Sequence, residues 1–457
     1  MNSTTNNKEE LLGTAPVPKL LFVMGIPSLL AQLVNLLYSM VDRIYIGHIP
    51  GSGADALTGM GLCTPLITMV SAFSFFVGAG GAPLAAIALG KGERKKAEKI
   101  LANGITLLIV FSVLLSIIIY AIKTPFLYAF GASDVTYPYA NEYLSVYMFG
   151  TLFVLIATGL NTFITAQGQA RIAMTSVMIG AITNILLDSF FILGLHWGIK
   201  GAAVATIIAQ AFSALWVIRF LMSRKATLRI IPSSMALDWK LVGTITALGV
   251  SPFIMQITES LIAVVFNSGM AKYGNDLYVG SITVLQTVMM IAFIPNNGFA
   301  QGAQPIISYN YGANNTGRVK QACKYIIGIT TGYAFAISLL SILFPGIVAS
   351  IFTADVEMIG LCKKVMPIFM AGMLVFGLQT GCQQAFLALG QAKTSLFFAL
   401  LRKVFLMVPL AIILPMVTQS VISIYYAEAI SDAVSAITCG TVFAISLPQI
   451  LRTAINS

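Results

Sequence analysis

Residues 101–122 read LANGITLLIVFSVLLSIIIYAI, an uncharged run that is long enough to cross a lipid bilayer as one helix. Similar apolar runs recur along the whole chain, in which 58% of the 457 residues are hydrophobic and only 9% are charged. Soluble domains carry roughly 25% charged residues, so water cannot be the only solvent of this chain. The composition therefore predicts an all-α polytopic membrane protein.

Twelve such runs are predicted to span the membrane, six on each side of a polar, basic segment. The first six spans lie at 20–45, 60–88, 101–122, 141–166, 172–195 and 201–222. The second six lie at 242–268, 278–308, 325–349, 364–389, 395–416 and 420–449. We therefore expect four parts, which are a cytoplasmic tail at 1–18, an N-terminal six-helix lobe at 19–222, a cytoplasmic linker at 223–240 and a C-terminal six-helix lobe at 241–457.

The basic residues set the expected orientation. If the N-terminus is cytoplasmic, all but six of the 26 lysines and arginines, Arg402 and Lys403 included, fall at cytoplasmic ends of spans. The six at outer ends are Arg43, Lys123, Lys200, Lys272, Lys363 and Lys364. This asymmetry follows the positive-inside rule. We expect a multi-pass protein of the cell inner membrane with both termini in the cytoplasm.

The two halves of the chain repeat at an offset of about 222 residues. The run AQGQAR at 166–171 is echoed by ALGQAK at 388–393, each at the end of a span. With six spans per half, the two copies have the same topology in the membrane. Such parallel repeats indicate two pseudo-symmetric bundles of the kind that transporters use, with substrate bound between them.

Asp188 is the clearest functional candidate, because it lies inside an apolar span within the run TNILLDSF at 183–190. An acid at the centre of a spanning helix costs about 2.5–3.5 kcal/mol on insertion scales. Asn184 lies one helical turn earlier and therefore on the same face. This pair fits a site that binds a proton or a small cation. A structural hydrogen bond between helices is the alternative.

Asp42 is harder to interpret, since it ends the first span near the outer surface and has Arg43 beside it. A solvated helix end and a functional acid are equally open from position alone. Thr206 lies in the outer part of the sixth span and carries no signal by itself. Asp42, Asn184, Asp188 and Thr206 nevertheless all belong to the outer half of the membrane, so they can share one depth.

Three motifs together resemble those of the MATE (multidrug and toxic compound extrusion) family. They are MVDRIYIG at 40–47, the pair formed by Asn184 and Asp188, and GIKGAA at 198–203. The similarity runs over nearly the whole chain and is strongest for the branch that includes DinF and MepA. It implies a coupling site for H⁺ or Na⁺ in the N-terminal half, which maps to Asp42, Asn184, Asp188 and Thr206. It further implies that Asn161 and Tyr143 are polar positions of the same cavity and that Pro27 kinks the first span.

The C-terminal half is less clear from the sequence. Glu259 stands in the seventh span where the NorM-like branch of the family has a glutamate, but that branch's aspartate in the tenth span is absent here. Glu259 could contact a cationic substrate or form a structural contact. Glu428 and Asp432, near the outer end of the last span, could couple ions or be solvated. The residues predicted to contact substrate or line a cavity are Asn161, Tyr143, Glu259, Gln256, Met255, Met289, Gln379 and Gln383.

Several functional classes are unsupported. The sequence contains no phosphate-binding loop of an ATP-driven pump and no nucleophile elbow or zinc-protease motif, and its five cysteines show no paired spacing. We therefore expect no enzyme, no cofactor and no nucleic-acid partner. The chain is predicted to be an antiporter, functional as a monomer, that uses an H⁺ or Na⁺ gradient to export amphipathic, cationic compounds through the membrane by alternating access.

Two alternatives to this prediction are open. A lipid-linked oligosaccharide flippase of the wider superfamily shares the two-lobed fold, but it should have a more cationic central cavity, and most Lys and Arg residues lie in predicted loops. A channel should show a repeated filter-like segment and a receptor should carry a soluble output domain, and neither is present in the sequence.

Overall fold

The computed structural model describes residues 11–455, which form helices and no strands. In that range ten helices are long and apolar enough to cross a membrane, and two bent helix pairs raise the number of spans to twelve. The predicted all-α polytopic fold is therefore confirmed. The first ten residues of the predicted tail at 1–18 lie outside the described range.

The first six spans contain seven α-helices. Each apolar run of the sequence becomes a helix because lipid cannot hydrogen-bond the backbone, so N–H and C=O groups must pair within the segment. The helices are α1 (Val17–Gly47), α2 (Gly53–Gly90), α3 (Arg94–Ala129), α4 (Tyr137–Phe149), α5 (Thr151–Ala166), α6 (Ala170–Asp188) and α7 (Gly198–Met222). A π-helical segment, Ser189–Gly194, extends α6.

The second six spans contain nine α-helices, joined to the first six by a linker that includes a short 3₁₀ turn, Pro232–Ser234. The helices are α8 (Trp239–Tyr273), α9 (Asp276–Gly312), α10 (Thr316–Leu343), α11 (Pro345–Ser350), α12 (Val356–Met370), α13 (Met373–Ala388), α14 (Ala392–Leu400), α15 (Val408–Thr418) and α16 (Ile422–Ile455). A π-helical segment, Leu401–Met407, joins α14 to α15.

The sequence repeat is visible in the bends of two equivalent spans. Helices α4 and α5 meet at 60° around Gly150, and α12 and α13 meet at 42° just before and after Gly372. A Cβ atom on Gly150 would lie 2.4 Å from Ile207 of α7, and one on Gly372 would lie 2.6 Å from the carbonyl oxygen of Ala429 of α16. Both bends therefore require glycine, because a neighbouring helix contacts the backbone at that position.

Residue contacts divide the chain into two compact units whose boundaries differ from the predicted lobes. One unit contains Leu30–Phe253 and the described residues before Ala15, and the other contains Ala15–Leu29 and Ile254–Ser457. Helices α1 and α8 are each divided, and each division lies within three residues of a proline, Pro27 in α1 and Pro252 in α8.

Glycines allow two helix pairs to pack closely, one pair in each unit. In the first unit, Gly249 of α8 packs on α2, where its Cβ position lies 1.8 Å from the carbonyl oxygen of Phe76. In the second unit, Gly302 of α9 packs on α1, where its Cβ position lies 2.5 Å from the Cα atom of Gly25. Small residues at such contacts bring backbones together where the hydrophobic effect gives membrane helices little attraction.

We expect Gly249→Ala to destabilise the protein by about 1–3 kcal/mol, the usual range for overpacking. Gly243→Ala is the matched control, because Gly243 lies on the same helix and nothing surrounds its Cβ position within 4 Å. That control should be neutral or stabilising by up to about 1 kcal/mol, since alanine favours helix. Apparent melting temperatures of purified protein in detergent measure both effects, and equal values for the two variants would contradict this packing.

The linker is held by side chains of the first unit. The amide oxygen of Gln167 accepts hydrogen bonds from the backbone N–H groups of Thr227 and Leu228, at 2.7 and 3.1 Å. Lys99 donates a 2.7 Å hydrogen bond to Asp238, and this bond lowers the pKa of the Asp238 carboxyl. Gln167 belongs to the repeated AQGQAR motif, so part of that motif serves to anchor the linker.

Candidate functional site

The acids predicted in the N-terminal half are buried. Asp188 closes α6 and is fully buried, Asn184 one turn earlier is 2% exposed, and Asp42 of α1 is 5% exposed. Asp42 is therefore not a solvated helix end, so that alternative is wrong. The amide of Asn184 donates a 3.4 Å hydrogen bond to the hydroxyl of Thr206 on α7.

Three helices thus bring the four predicted coupling residues together. The carboxylates of Asp42 and Asp188 are close enough for their charges to interact. Tyr143 of α4 is 2% exposed and lies next to both Asp42 and Thr206. The bend at Gly150 lets α4 approach α7, which explains how a tyrosine before the bend reaches this cluster. Tyr143 therefore lies beside the predicted coupling residues, and its role in a cavity stays a prediction.

The oxygens of this cluster are poorly satisfied. Within residues 11–455, no hydrogen-bond partner is found for Asp42 Oδ1, for either carboxylate oxygen of Asp188, or for Asn184 Oδ1. Neither acid forms a salt bridge there, and the adjacent Arg43 is exposed. Buried carboxylates without partners are strongly disfavoured unless they bind a proton or a cation. The arrangement fits both ions, since a proton neutralises a carboxylate and Na⁺ is bound by oxygen ligands.

A multivalent metal centre is not indicated. The described residues contain no group of three or more His, Cys, Asp or Glu side chains that could hold a metal ion. The acids of the N-terminal cluster are two, Asp42 and Asp188, and their other neighbours are a neutral amide and hydroxyls. This donor set carries little charge and fits a monovalent coupling ion.

The structure also places Asn161 and Pro27, the two other residues predicted in this half. The amide of Asn161 donates a 3.2 Å hydrogen bond to the carbonyl of Ala173 on α6, and its own oxygen is buried without a partner in the described chain. Pro27 lies inside α1, two residues before the point where the compact units divide. The cavity role of Asn161 and the conformational role of Pro27 stay predictions.

The C-terminal unit contains a second buried cluster of charges, which the sequence analysis missed. Arg402, in the π-helical segment Leu401–Met407, donates from Nε to Asp432 at 2.6 Å and from an Nη atom to Glu428 at 3.2 Å. All three side chains are 7% exposed or less. Glu428 and Asp432 are therefore buried ion-pair partners, and the interpretation of a solvated outer end is wrong.

Lys403, next in the chain, pairs with the predicted acid of the seventh span. Its Nζ atom donates to the carboxylate of Glu259 and to the carbonyl of Met255, the latter at 2.8 Å. The lysine side chain is 2% exposed whereas that of Glu259 is 50% exposed. Glu259 thus has a structural contact, one of its two predicted alternatives, and keeps an accessible edge.

The placement of Arg402 and Lys403 at the cytoplasmic end of a span is wrong. Arg402 follows Ala392, the first residue of α14, by ten residues, which places it about 15 Å along the helix. The hydrocarbon core is about 30 Å thick, so this is mid-membrane depth. The sequence signal for these buried bases is their position inside the apolar run 395–416. The positive-inside rule counts bases per segment and takes no account of their depth in the membrane.

A cavity lies against these two bases in the C-terminal unit. The cavity is small, with a volume of about 20 Å³, which is room for roughly one water molecule. Of the predicted substrate or cavity residues, Met255, Gln379 and Gln383 line it, with the unpredicted Arg402 and Lys403. Met289 packs instead against a hydrophobic core cluster, and Gln256 is not among the lining residues.

Comparisons with known proteins agree with this architecture. The multidrug export protein MepA of Staphylococcus haemolyticus is 24% identical over 371 residues, which cover 80% of this chain and 81% of the relative. MepA of Staphylococcus aureus strain N315 is 24% identical over 396 residues, 85% of each chain.

Solved structures share the fold. A crystal structure of MATE in the bent conformation superposes with a TM-score of 0.92 at 21% identity, covering 99% of this chain and 100% of the other. An outward-facing multidrug resistance MATE family transporter of the MOP superfamily gives 0.88, also at 21% identity, covering 97% and 98%. The MatE family model matches residues 27–190 and 252–413, which is more than half of the sequence. The chain therefore belongs to the MatE family.

Proposed function

We propose that this chain is a cation-coupled multidrug exporter. The observation that carries the proposal is the buried cluster of Asp42 and Asp188, in which Asp42 Oδ1 and both carboxylate oxygens of Asp188 lack hydrogen-bond partners in the described part of the chain. Family membership and the multidrug export relatives support the transport class. The substrates are amphipathic organic compounds, cationic ones among them, and the coupling ion is H⁺ or Na⁺.

Coupling follows from the cost of burying these two carboxylates without partners. A proton or Na⁺ bound at Asp42 and Asp188 removes the penalty of unpaired buried charge. The ion therefore favours the conformation in which these acids are buried, and substrate favours another. Only such a difference in affinity lets one ligand shift a conformational equilibrium. The ion gradient then drives export, with Asn184 and Thr206 as neutral oxygen ligands when the ion is Na⁺.

The proposal also covers the membrane location, the oligomeric state and the energy source of the transporter. The apolar helices make the chain a multi-pass membrane protein. The charge asymmetry supports the inner membrane with both termini in the cytoplasm. A chain that contains both repeats can transport as a monomer. Transport needs no soluble cofactor in this scheme, because the gradient supplies the energy.

Efflux from proteoliposomes tests the proposal. Wild-type protein and Asp188→Asn are reconstituted with a fluorescent organic cation, and proton and sodium gradients are imposed separately. We expect one gradient to accelerate efflux by wild-type protein and not by the variant, because an asparagine cannot bind the coupling proton and supplies one fewer anionic ligand. The gradient that works identifies the ion.

The flippase is the second candidate, because Arg402 and Lys403 are buried in the C-terminal unit and no longer count among loop residues. The same liposomes distinguish the two. If neither gradient moves any dye while the protein scrambles a lipid-linked sugar, the exporter proposal is wrong and the flippase replaces it.

A further inference from the structure

The buried acids of the N-terminal half need a route by which an ion can reach them. Asp42 and Asp188 are 5% and 0% exposed, and three of their four carboxylate oxygens are buried without a partner in the described chain. A proton or cation that binds there first has to pass whatever closes the cluster. The closing contact should therefore lie directly beside the acids, on the elements that carry them.

One hydrogen bond between side chains meets this condition. The hydroxyl oxygens of Tyr45 on α1 and of Ser189, the first residue of the π-helical segment, lie 2.7 Å apart. Tyr45 follows Asp42 by three residues, which is about one helical turn, and Ser189 directly follows Asp188. The bond thus joins the element of one acid to that of the other, closer to the end of each element than the acid itself.

Burial ends on the far side of this bond. Tyr45 and Ser189 are half-buried. On α1 the exposed end begins at Gly47, two residues beyond Tyr45, and in the other element all of residues 193–197 are exposed. The two hydroxyl groups therefore lie at the boundary between the buried acids and the exposed ends of both elements. In the proposed orientation this boundary faces the outer side of the membrane.

The chemistry of this contact suits an opening that admits an ion. Each hydroxyl group has one donor and two acceptor lone pairs, so it can exchange the mutual bond for contact with a passing Na⁺, hydronium or water. A seal of apolar side chains would instead exclude a hydrated ion. The π-helical segment that begins at Ser189 fits the same role, because π-helical turns occur frequently at functional sites.

We propose that Tyr45 and Ser189 form the outer gate of the cluster of Asp42 and Asp188, and that their mutual hydrogen bond closes it. The inference rests on the proposed export function, because the ion that the gate admits is the proposed coupling ion. When the bond opens, H⁺ or Na⁺ reaches the acids from the outer side. When it closes, the ion is held in the buried cluster. Tyr45 and Ser189 then act on access to the acids and not as ligands of the ion.

Chemical labelling of the two acids in purified full-length protein tests the gate. EDC, a water-soluble carbodiimide, activates carboxyl groups for amide formation with glycine ethyl ester, and mass spectrometry of peptides gives the labelling rate at Asp42 and Asp188. We expect Tyr45→Phe and Ser189→Ala each to raise this rate about fivefold, the shift in equilibrium that one hydrogen bond provides. The double variant should label no faster than the faster single variant, because both substitutions remove the same bond.

Ser213→Ala is the matched control for a general loosening of the helices. It removes another hydrogen bond between elements of the same unit, which the Ser213 hydroxyl on α7 donates to the carbonyl of Ser176 on α6 at 2.9 Å. Ser213 lies seven residues beyond Thr206, about 10 Å further from the outer end of α7. Its labelling rate at the two acids should stay within about twofold of wild type.

The gate is wrong if neither Tyr45→Phe nor Ser189→Ala labels faster than wild type, or if Ser213→Ala labels as fast as they do. Labelling needs no gradient and no substrate, so it can be judged separately from export. Unchanged labelling together with gradient-driven efflux by wild type overturns the gate alone. Faster labelling of the two gate variants without any gradient-driven efflux supports the gate and contradicts the exporter.

Discussion

Replacing Arg402 with methionine is expected to destabilise the protein by about 3–5 kcal/mol, the usual cost of breaking a buried salt bridge by removing one partner. The cost arises because Glu428 and Asp432, at 3% and 0% exposure, are left at mid-membrane depth without their ion-pair partner. The substitution also removes the contact between the Arg402 guanidinium and the ring of Phe376. The apparent melting temperature of the detergent-purified protein measures the effect.

Neutralising the whole cluster should reverse most of this loss. A triple variant with Arg402→Met, Glu428→Gln and Asp432→Asn leaves no unpaired charge, and replacement of complete buried ion pairs is often neutral. Arg219→Met is the matched control, since Arg219 is exposed near the end of α7, and its melting temperature should stay at the wild-type value. Equal stability of Arg402→Met and wild type would show that the ion pairs are not buried as described.

Local information was enough to predict the fold. A run such as 101–122 has to become a helix in lipid whatever surrounds it, and α3 (Arg94–Ala129) contains it in full. The sequence repeat predicted that the two halves are equivalent, and the helix bends at Gly150 and Gly372 lie at equivalent positions of the repeat. The ends of helices were predicted less well, because polar residues extend them beyond the bilayer core.

Burial of single charges could not be predicted in this way. Arg402 meets Glu428 and Asp432 from positions 26 and 30 residues away, and Lys403 meets Glu259 from 144 residues away. The local sequence does not predict these pairings. The positive-inside rule, which counts bases by segment, assigns Arg402 and Lys403 to the cytoplasm. Asp188, by contrast, could be identified from the local sequence, because an acid among apolar neighbours in a spanning helix is a functional candidate.

For Asp42, the family resemblance predicted a functional role that its position in the sequence could not establish. From its position a solvated helix end was equally open, and only the family motif joined it to Asp188 and Thr206. The structure buries it at 5% exposure, beside Tyr143 and within reach of the Asp188 charge. A residue at a helix end can be classified only when the helices around that end are known.

Asp42→Asn and Asp188→Asn are each expected to slow gradient-driven efflux by roughly 5–150-fold, the range of typical coupling free energies. The double variant should be no slower than the worse single variant, because residues that act as one unit give non-additive losses. Initial rates of dye efflux from proteoliposomes give these values. Asp134→Asn is the control, since Asp134 is an exposed acid of the same half, and it should transport at the wild-type rate.

Stability separates coupling from a structural role for the same two acids. Since Asp42 Oδ1 and both carboxylate oxygens of Asp188 are buried without partners in the described chain, replacing either carboxylate by an amide removes an unpaired charge and should hold or raise the melting temperature. Loss of transport together with retained stability is what a functional site predicts, because such sites are kept at a cost to the fold. If the two substitutions lower the melting temperature additively and transport falls only in proportion to the folded fraction, the acids are structural and the coupling site lies elsewhere.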